Sequence, residues 1–299
     1  MSEISWGILL AAYLFVGGMA GGAFVISALA DLFGKDKYNE LSKAGTYSSL
    51  VLILVGLVIL VMDLGRFGVD PLGVLNAFIN FSNSIMSVGT WIISGFTVIS
   101  LVTAILWIFQ GSTILRKSLG IIGLILGSST MAYTGLLLAF SRGRPFWNSA
   151  FLPWTFIISG TLTGLAVSLL LIPIIAWIMP RFSIDIKNLV DDNKRFNEVL
   201  MDSQKYVLVL VAIEILLVII ELITGHFGQL LNFGNLTLLF IGYLVLGLLL
   251  PLGIAYLNIK TEYIGKDLKL PVSMASFVFI LVGGFLLRYV VLIAGQLIH

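Results

Sequence analysis

Long apolar runs, each on the order of twenty residues, follow one another along the whole chain and constrain its fold more than any other feature. A helix needs about 20 apolar residues to cross the hydrocarbon core of a bilayer, whereas outer-membrane strands give short alternating segments. These runs are apolar on all sides of a helix. The sequence therefore predicts an all-α integral membrane protein, a bundle of eight transmembrane helices that forms a single domain over residues 1–299. The predicted spans are 6–30, 45–65, 85–109, 118–140, 153–178, 206–225, 234–257 and 272–297.

Composition excludes several kinds of function. Only 11% of the residues are charged, against about 25% in soluble domains, and the net charge of +2 with no basic patch argues against a nucleic-acid partner. The absence of cysteine excludes disulfides and cysteine-ligated iron–sulfur clusters. The two histidines are His226 and the last residue, His299, so a haem held by two histidines inside the membrane is not expected. We predict no metal site, and any redox chemistry must use a diffusible cofactor or a partner.

The distribution of positive charge predicts the orientation. Most of the 17 Lys and Arg residues lie in the loops that follow the first, third, fifth and seventh spans. Because cytoplasmic loops are enriched in Lys and Arg, these loops should be cytoplasmic and both termini outside. The protein is then a multi-pass protein of the cytoplasmic (inner or plasma) membrane. Three arginines, Arg66, Arg142 and Arg144, lie in the outer loops, where Lys and Arg are normally depleted. Their presence there indicates a specific role.

Four ionisable residues fall inside or at the ends of the spans: Asp63, Glu214, Glu221 and Arg288. An ionisable side chain costs about 2.5–3.5 kcal/mol at the centre of a membrane helix on insertion scales, so each needs a reason. Glu214 and Glu221 lie seven positions apart and share one face of their helix. Arg288 can pair with one of them. Two interpretations stay open: a buried ion pair that ties two helices together, or a proton path or polar ligand site.

The depth of these residues favours a common layer. Arg288 lies about 16 residues into its span, roughly 24 Å from the inner side. Glu221, Tyr133 and Asp63 fall at similar heights in the outer third, below the outer arginines, while Glu214 is nearer the midplane. The sequence therefore predicts a polar layer on the outer side with one ionisable group leading inward.

Small residues predict close helix packing. The first span carries Gly17–Gly18 and Gly21–Gly22, and the fifth carries Gly160 and Gly164. Such residues let helix backbones approach closely where lipid gives no hydrophobic drive to associate. Helix packing is the favoured interpretation, and the alternative is that Gly17–Gly22 leaves room for a ligand. In and beside the outer loop that follows the fourth span, Arg142 and Arg144 with Trp147 and Trp154 also fit an interfacial belt.

Several short segments follow one another in order along nearly the whole chain: Tyr13–Gly18, Asp63–Arg66, Ser84–Trp91, Tyr133–Gly135, Pro145–Asn148, Leu152–Pro153, Ser159–Gly160, Gly283–Tyr289 and Gly295–Gln296. In these segments and their spacing the sequence resembles the NrfD/PsrC family, the membrane subunits of polysulfide-reductase-like complexes. The stretch 179–275 contributes least to this resemblance.

The resemblance implies a haem-free, eight-helix subunit of a respiratory oxidoreductase complex in the membrane lipid. It would exchange electrons between a quinone/quinol pool, menaquinone-type or other, and an iron–sulfur subunit on the outer face. That subunit would relay them to or from a catalytic subunit, often a molybdopterin enzyme, so this chain alone would not be catalytic. Some family members carry a histidine at the quinone pocket in the first span, and Tyr13 is the nearest candidate here.

If a quinone is the ligand, the candidate residues can be given roles, those of Glu214 and Glu221 from their positions rather than from the matching segments. Tyr133 and Tyr13 would hydrogen-bond the quinone head group, and Asp63 would accept a proton. Arg288 would keep Glu221 ionised or stabilise negative charge on the quinone, and Glu214 would continue a proton route. The remaining predicted cofactor-binding residues are Gly17, Arg66, Arg142, Trp147 and Asn148. The competing hypotheses are a haem-free structural anchor and a proton- or ion-translocating subunit or transporter without a quinone site.

Overall fold

The computed structural model describes residues 6–63, 85–141, 143–178, 184–224, 226–232, 234–263 and 270–298. Helices account for all the regular structure in these ranges. Asn235–Gly242, the π-helical stretch Tyr243–Leu249 and Leu250–Tyr263 run on as one helix, which we call α8. The other helices are α1 (Ile8–Phe33), α2 (Asn39–Asp63), α3 (Ile85–Ile108), α4 (Thr113–Ala139), α5 (Leu152–Ile178), the short α6 (Ile184–Asp191), α7 (Asn193–Ile223) and α9 (Leu270–Leu297).

Eight helices in the described ranges are long and apolar enough to cross a membrane, which confirms the predicted all-α membrane bundle. The ends of several helices differ from the predicted spans. α4 begins at Thr113 rather than near residue 118, and α8 ends at Tyr263 rather than near residue 257. α7 begins at Asn193 rather than near residue 206, and the Asp192 side chain caps it by accepting from the backbone N–H of Arg195 at 3.2 Å. α2 begins at Asn39 rather than near residue 45. Hydropathy locates only the part of a helix in hydrocarbon, whereas these helices continue through polar turns. The semi-apolar loop after the second span also predicts an interfacial helix around Leu72–Phe81, and this stretch lies outside the described residues.

α1 lies at the centre of the bundle and contacts α2, α4, α5 and α9. Its glycines make this position possible. A Cβ on Gly21 would lie 2.6 Å from the carbonyl oxygen of Gly127 in α4, and a Cβ on Gly22 would collide with the backbone of Gly160 in α5. The backbones of three helices thus meet where no side chain intervenes, as the glycine pattern predicts.

The loops that carry most of the lysines define one end of the bundle, which we call the lysine-bearing end. Asp31 of α1 accepts two hydrogen bonds from Arg116 of α4, at 2.7 and 2.9 Å, and the guanidinium stacks 3.6 Å from the Trp107 ring. Glu40 of α2 pairs with Arg195 of α7 at 2.9 Å. Charged side chains therefore join neighbouring helices where they leave the apolar part of the bundle.

The two described chain ends meet at the opposite end of the bundle, which we call the terminal end. The Trp6 ring stacks on Trp147 with centroids 5.3 Å apart, and Gln296 exchanges two 2.9 Å hydrogen bonds with the Trp6 backbone. Arg144 donates to the Gln296 carbonyl at 2.9 Å. The loop between α4 and α5 therefore lies against the end of α9.

Candidate functional site

Arg288 is fully buried in the middle of the helical bundle. Its Nη1 donates to Ser159 Oγ at 3.1 Å and to the Gly284 carbonyl at 2.9 Å. A Cβ on Gly18 would lie 2.9 Å from Nη2, so the glycine of α1 leaves the space that the guanidinium occupies. The rings of Phe15 and Phe156 lie 5.7 and 5.2 Å from the guanidinium carbon. The guanidinium of Arg288, which lies on α9, therefore points towards α1 and α5.

Glu214 of α7 is also buried, and the hydroxyl of Tyr243 donates to its Oε1 at 2.9 Å. Tyr243 is the first residue of the π-helical stretch in α8. Such stretches interrupt regular α-helices and are frequent at functional sites. Sequence reasoning missed Tyr243, because a tyrosine in an apolar span carries no charge to signal it and a π-helical stretch has no sequence pattern of its own.

The ion pair considered for Arg288 is not formed directly: within the described ranges, neither Glu214 nor Glu221 bonds to the guanidinium. Arg288 remains close enough to Glu214 for the two charges to interact electrostatically. Tyr243 holds the carboxylate from the α8 side, and Ser159 and the Gly284 carbonyl accept from the guanidinium. Ser159 also lies near the Glu214 carboxylate, so its hydroxyl stands between the two charged groups.

Several polar atoms of this layer have no hydrogen-bond partner among the described residues. They are Oε2 of Glu214 and both Nε and Nη2 of Arg288. A buried polar group without a partner costs about 1–3 kcal/mol. The layer therefore has hydrogen-bonding capacity for a water molecule or a polar ligand, with a carboxylate on one side and a guanidinium edge on the other.

Glu221 belongs to a separate cluster nearer the terminal end. Its Oε1 accepts from Ser149 Oγ at 2.5 Å, and its Oε2 lies 3.7 Å from Nδ1 of His226, whose side chain is 26% exposed. Sequence reasoning had used His226 only to exclude a haem. The common layer predicted from depth is thus divided in space, with Glu221 facing a loop and Glu214 facing the interior.

Tyr133 lines an apolar pocket of about 370 Å³ between α3 and α4. The ring lies against Gly89, where any Cβ would collide with it. Tyr13 of α1 is buried and lies close enough for the two phenols to interact electrostatically. A Cβ on Gly17 would meet only Tyr13, 4.0 Å away, so the backbone is open at that position. Of the two tyrosines that the sequence had singled out, Tyr133 lines this pocket and Tyr13 is buried in α1.

A second pocket, of about 440 Å³, opens at the terminal end and is lined by Arg144 and Asn148 among others. Phe140 lines both pockets and separates them. Trp147 lines neither pocket, because it is buried and its Nε1 donates to the Val291 carbonyl at 2.8 Å. Its packing against α9 accounts for its position.

Three predicted residues have no described side chain. Asp63 is the last residue of α2, but its side chain is outside the described part, and so are Arg66 and Arg142. Their roles stay predictions. Within the described ranges, no group of three or more His, Cys, Asp or Glu residues is placed to hold a metal ion.

The fold and these sites define a class: a multi-pass helical membrane protein with a buried Glu–Arg layer and a tyrosine-lined apolar pocket. The chain belongs to the NrfD family, because the family model described as "Polysulphide reductase, NrfD" matches residues 1–299. This match confirms the resemblance drawn from the short segments.

Two relatives are similar over different lengths. The "Protein NrfD homolog" of Haemophilus influenzae is 25% identical over an alignment of 331 positions, which covers 99% of this chain and 95% of the relative. The "Hdr-like menaquinol oxidoreductase integral membrane subunit" of Archaeoglobus fulgidus is 25% identical over 171 positions, covering 56% of this chain and 42% of the relative. The second similarity thus spans less than half of that relative.

Proposed function

We propose that this chain is the membrane subunit of a respiratory oxidoreductase complex and exchanges electrons between a quinone/quinol pool and an iron–sulfur subunit. Family membership and the name of the Archaeoglobus relative, a menaquinol oxidoreductase subunit, support this function. The observation that carries it is the pocket between α3 and α4, where Tyr133 offers a phenol in an apolar wall. A relay to a separate catalytic subunit, often a molybdopterin enzyme in this family, completes the proposal.

The pocket fits a quinone by size and chemistry. Its volume of about 370 Å³ lies within the range of small-molecule sites, and its walls are aliphatic or aromatic apart from Ser129 and Tyr133. The Tyr133 and Tyr13 hydroxyls would orient the head group by hydrogen bonding. A bound quinol supplies two electrons and two protons. Asp63, at the end of α2, is proposed to accept one of these protons. The pocket at the terminal end, beside Arg144 and Asn148, is proposed to lie beneath the docked iron–sulfur subunit.

The two buried acidic clusters suit proton transfer. In the inner one, Tyr243 can pass a proton to Glu214, whose Oε2 has no hydrogen-bond partner within the described part of the chain. In the outer one, Glu221 connects Ser149 with the partly exposed His226. We propose that these groups conduct protons, that the terminal end faces outwards, and that the protein resides in the cytoplasmic membrane.

A second candidate function is a haem-free anchor or an ion-translocating subunit without a quinone site. The Glu214–Arg288 layer favours it, because that layer lies on α7 and α9, apart from the α3–α4 pocket. A protein that only moves protons would need the Glu214–Arg288 layer, and it would not need Tyr13 or Tyr133.

A quinol-analogue titration of the purified, delipidated chain separates these functions. The wild type and a Tyr256→Phe control, altered at an exposed position on α8, should quench the analogue's fluorescence saturably. Tyr133→Phe should weaken that binding about tenfold, equivalent to about 1.4 kcal/mol. Binding that is absent in the wild type, or equal in all three proteins, would favour the second candidate. Gentle purification should also bring an iron–sulfur protein with the chain.

A further inference from the structure

A groove separate from both sites lies at the lysine-bearing end, between α1, α5 and α7. Its volume is about 390 Å³. Ile26, Leu29, Phe33 and Leu165 supply apolar walls, and Tyr38 and Tyr206 lie near its mouth. Phe33 and Tyr206 are 77% and 57% exposed, so the groove opens towards the hydrocarbon and its interface rather than into the bundle.

The rim of this groove has an excess of positive charge among the described side chains. Lys37 and Lys205 share one carboxylate, that of Asp202, at 2.5 and 3.2 Å. Both ammonium groups stay accessible, with side chains 42% and 49% exposed. An anionic group can therefore approach both ammonium groups from the solvent side.

Tyr38 fixes the carboxylate between the lysines. Its hydroxyl donates to Oδ2 of Asp202 at 2.6 Å. Burial and the neighbouring Asp202 raise the pKa of the Tyr38 hydroxyl above its ordinary value, so it stays a donor at neutral pH. Asp202 is thereby held at the rim, and the two lysines are gathered at the mouth of the groove.

We propose that this groove binds a phospholipid with an anionic head group, one acyl chain lying along Ile26, Leu29 and Leu165 and the phosphate contacting Lys37 and Lys205. The lysine asymmetry assigns this end to the cytoplasmic leaflet, where anionic lipids attract basic residues near the surface. An apolar trough that ends at paired cations matches the two parts of such a lipid. The proposal is independent of the quinone function.

Native mass spectrometry of the full chain in neutral detergent tests it. Phosphatidylglycerol and phosphatidylcholine with identical acyl chains differ only in head group. Phosphatidylglycerol should bind about tenfold more tightly, and the Lys37→Gln/Lys205→Gln variant should remove that preference. Asp202→Asn, which removes the negative charge that both lysines share, should strengthen the preference for phosphatidylglycerol. Lys260→Gln, a like charge change at the same end on α8, should leave it unchanged.

The acyl part is tested by Ala30→Phe, which fills the groove without changing charge. This variant should bind both phosphatidylglycerol and phosphatidylcholine more weakly than the wild type. In a separate competition, inorganic phosphate should not displace phosphatidylglycerol from the wild type. Equal binding of the two lipids, a preference that survives loss of both lysines, or displacement by phosphate alone would overturn the proposal. Thermal unfolding without added lipid identifies variants that fail to fold. If the lysine variant fails to fold, the proposal is judged by Asp202→Asn, which must increase the preference for phosphatidylglycerol.

Discussion

Replacing Tyr133 by Phe isolates the chemistry of one hydroxyl. Among the described residues this hydroxyl makes no hydrogen bond, and the ring packs against Gly89 with or without it. Stability should therefore change by less than about 0.5 kcal/mol, the scale of substitutions that remove no internal contact. The ring would keep its place and only the donor to the quinone would be lost.

The expected effect on turnover follows from that loss. A hydrogen bond contributes about 0.5–1.5 kcal/mol net when neutral, and about 1.5–3 kcal/mol when one partner is charged. The Tyr133 hydrogen bond strengthens as charge develops on the quinone oxygen, so its contribution should be about 1.5 kcal/mol, where the neutral and charged ranges meet. We expect quinone-linked turnover to fall at least about tenfold, since 1.36 kcal/mol of barrier is a factor of ten.

The assay compares two activities of the assembled complex. Electron transfer with a soluble donor or acceptor of the catalytic subunit should stay normal, while electron transfer with a water-soluble quinol should fall. Tyr256→Phe, on the lipid-facing side of α8, is the matched control. If Tyr133→Phe assembles and retains wild-type quinone turnover, the α3–α4 pocket is not the site, and the Glu214 layer becomes the better candidate.

Three further predictions test the packing, the buried layer and the orientation. Gly22→Ala should destabilise the bundle by about 1–3 kcal/mol in thermal unfolding because of overpacking, whereas Gly17→Ala should be neutral or stabilising by up to about 1 kcal/mol. Arg288→Met should cost about 2 kcal/mol through its lost charged hydrogen bonds, and adding Glu214→Gln should recover part of it; a stable, fully active double variant would remove both residues from the mechanism. A single cysteine at exposed Leu231 should react with an impermeant thiol reagent in intact cells once partners are removed, and protection there with the partners absent would invert the orientation.

Sequence reasoning predicted the parts of the fold that depend on local composition. The eight spans follow from the length of apolar chain that a bilayer requires, and Gly21 and Gly22 indicated where backbones meet. The start of α7 was missed because Asp192 caps a helix whose first turns are polar. Hydropathy carries no information about such an extension, which depends on capping and on contacts with other helices.

The candidate site was only partly predictable for a related reason. Depth along a helix gave the heights of Glu214, Glu221 and Arg288, but height does not specify direction around the bundle. Glu221 faces Ser149 and His226 at the terminal end, whereas Arg288 faces Ser159 in the interior. Tyr243 completes the Glu214 cluster through a π-helical stretch, which depends on backbone geometry rather than on residue type.

The separation of Arg288 from Glu214 bears on which function the buried layer serves. Two opposite charges that only hold helices together would be expected to form a direct pair, because the attraction must offset the desolvation of both groups. Here Tyr243 bonds to the Glu214 carboxylate and Ser159 stands between the two charges, and among the described residues Glu214 Oε2 and two guanidinium nitrogens have no hydrogen-bond partner. Adhesion does not account for hydrogen-bonding capacity that is left over at a cost. A role that needs a free carboxylate oxygen opposite a fixed positive charge does account for it, since a proton or a polar ligand can then enter and leave without breaking a helix contact.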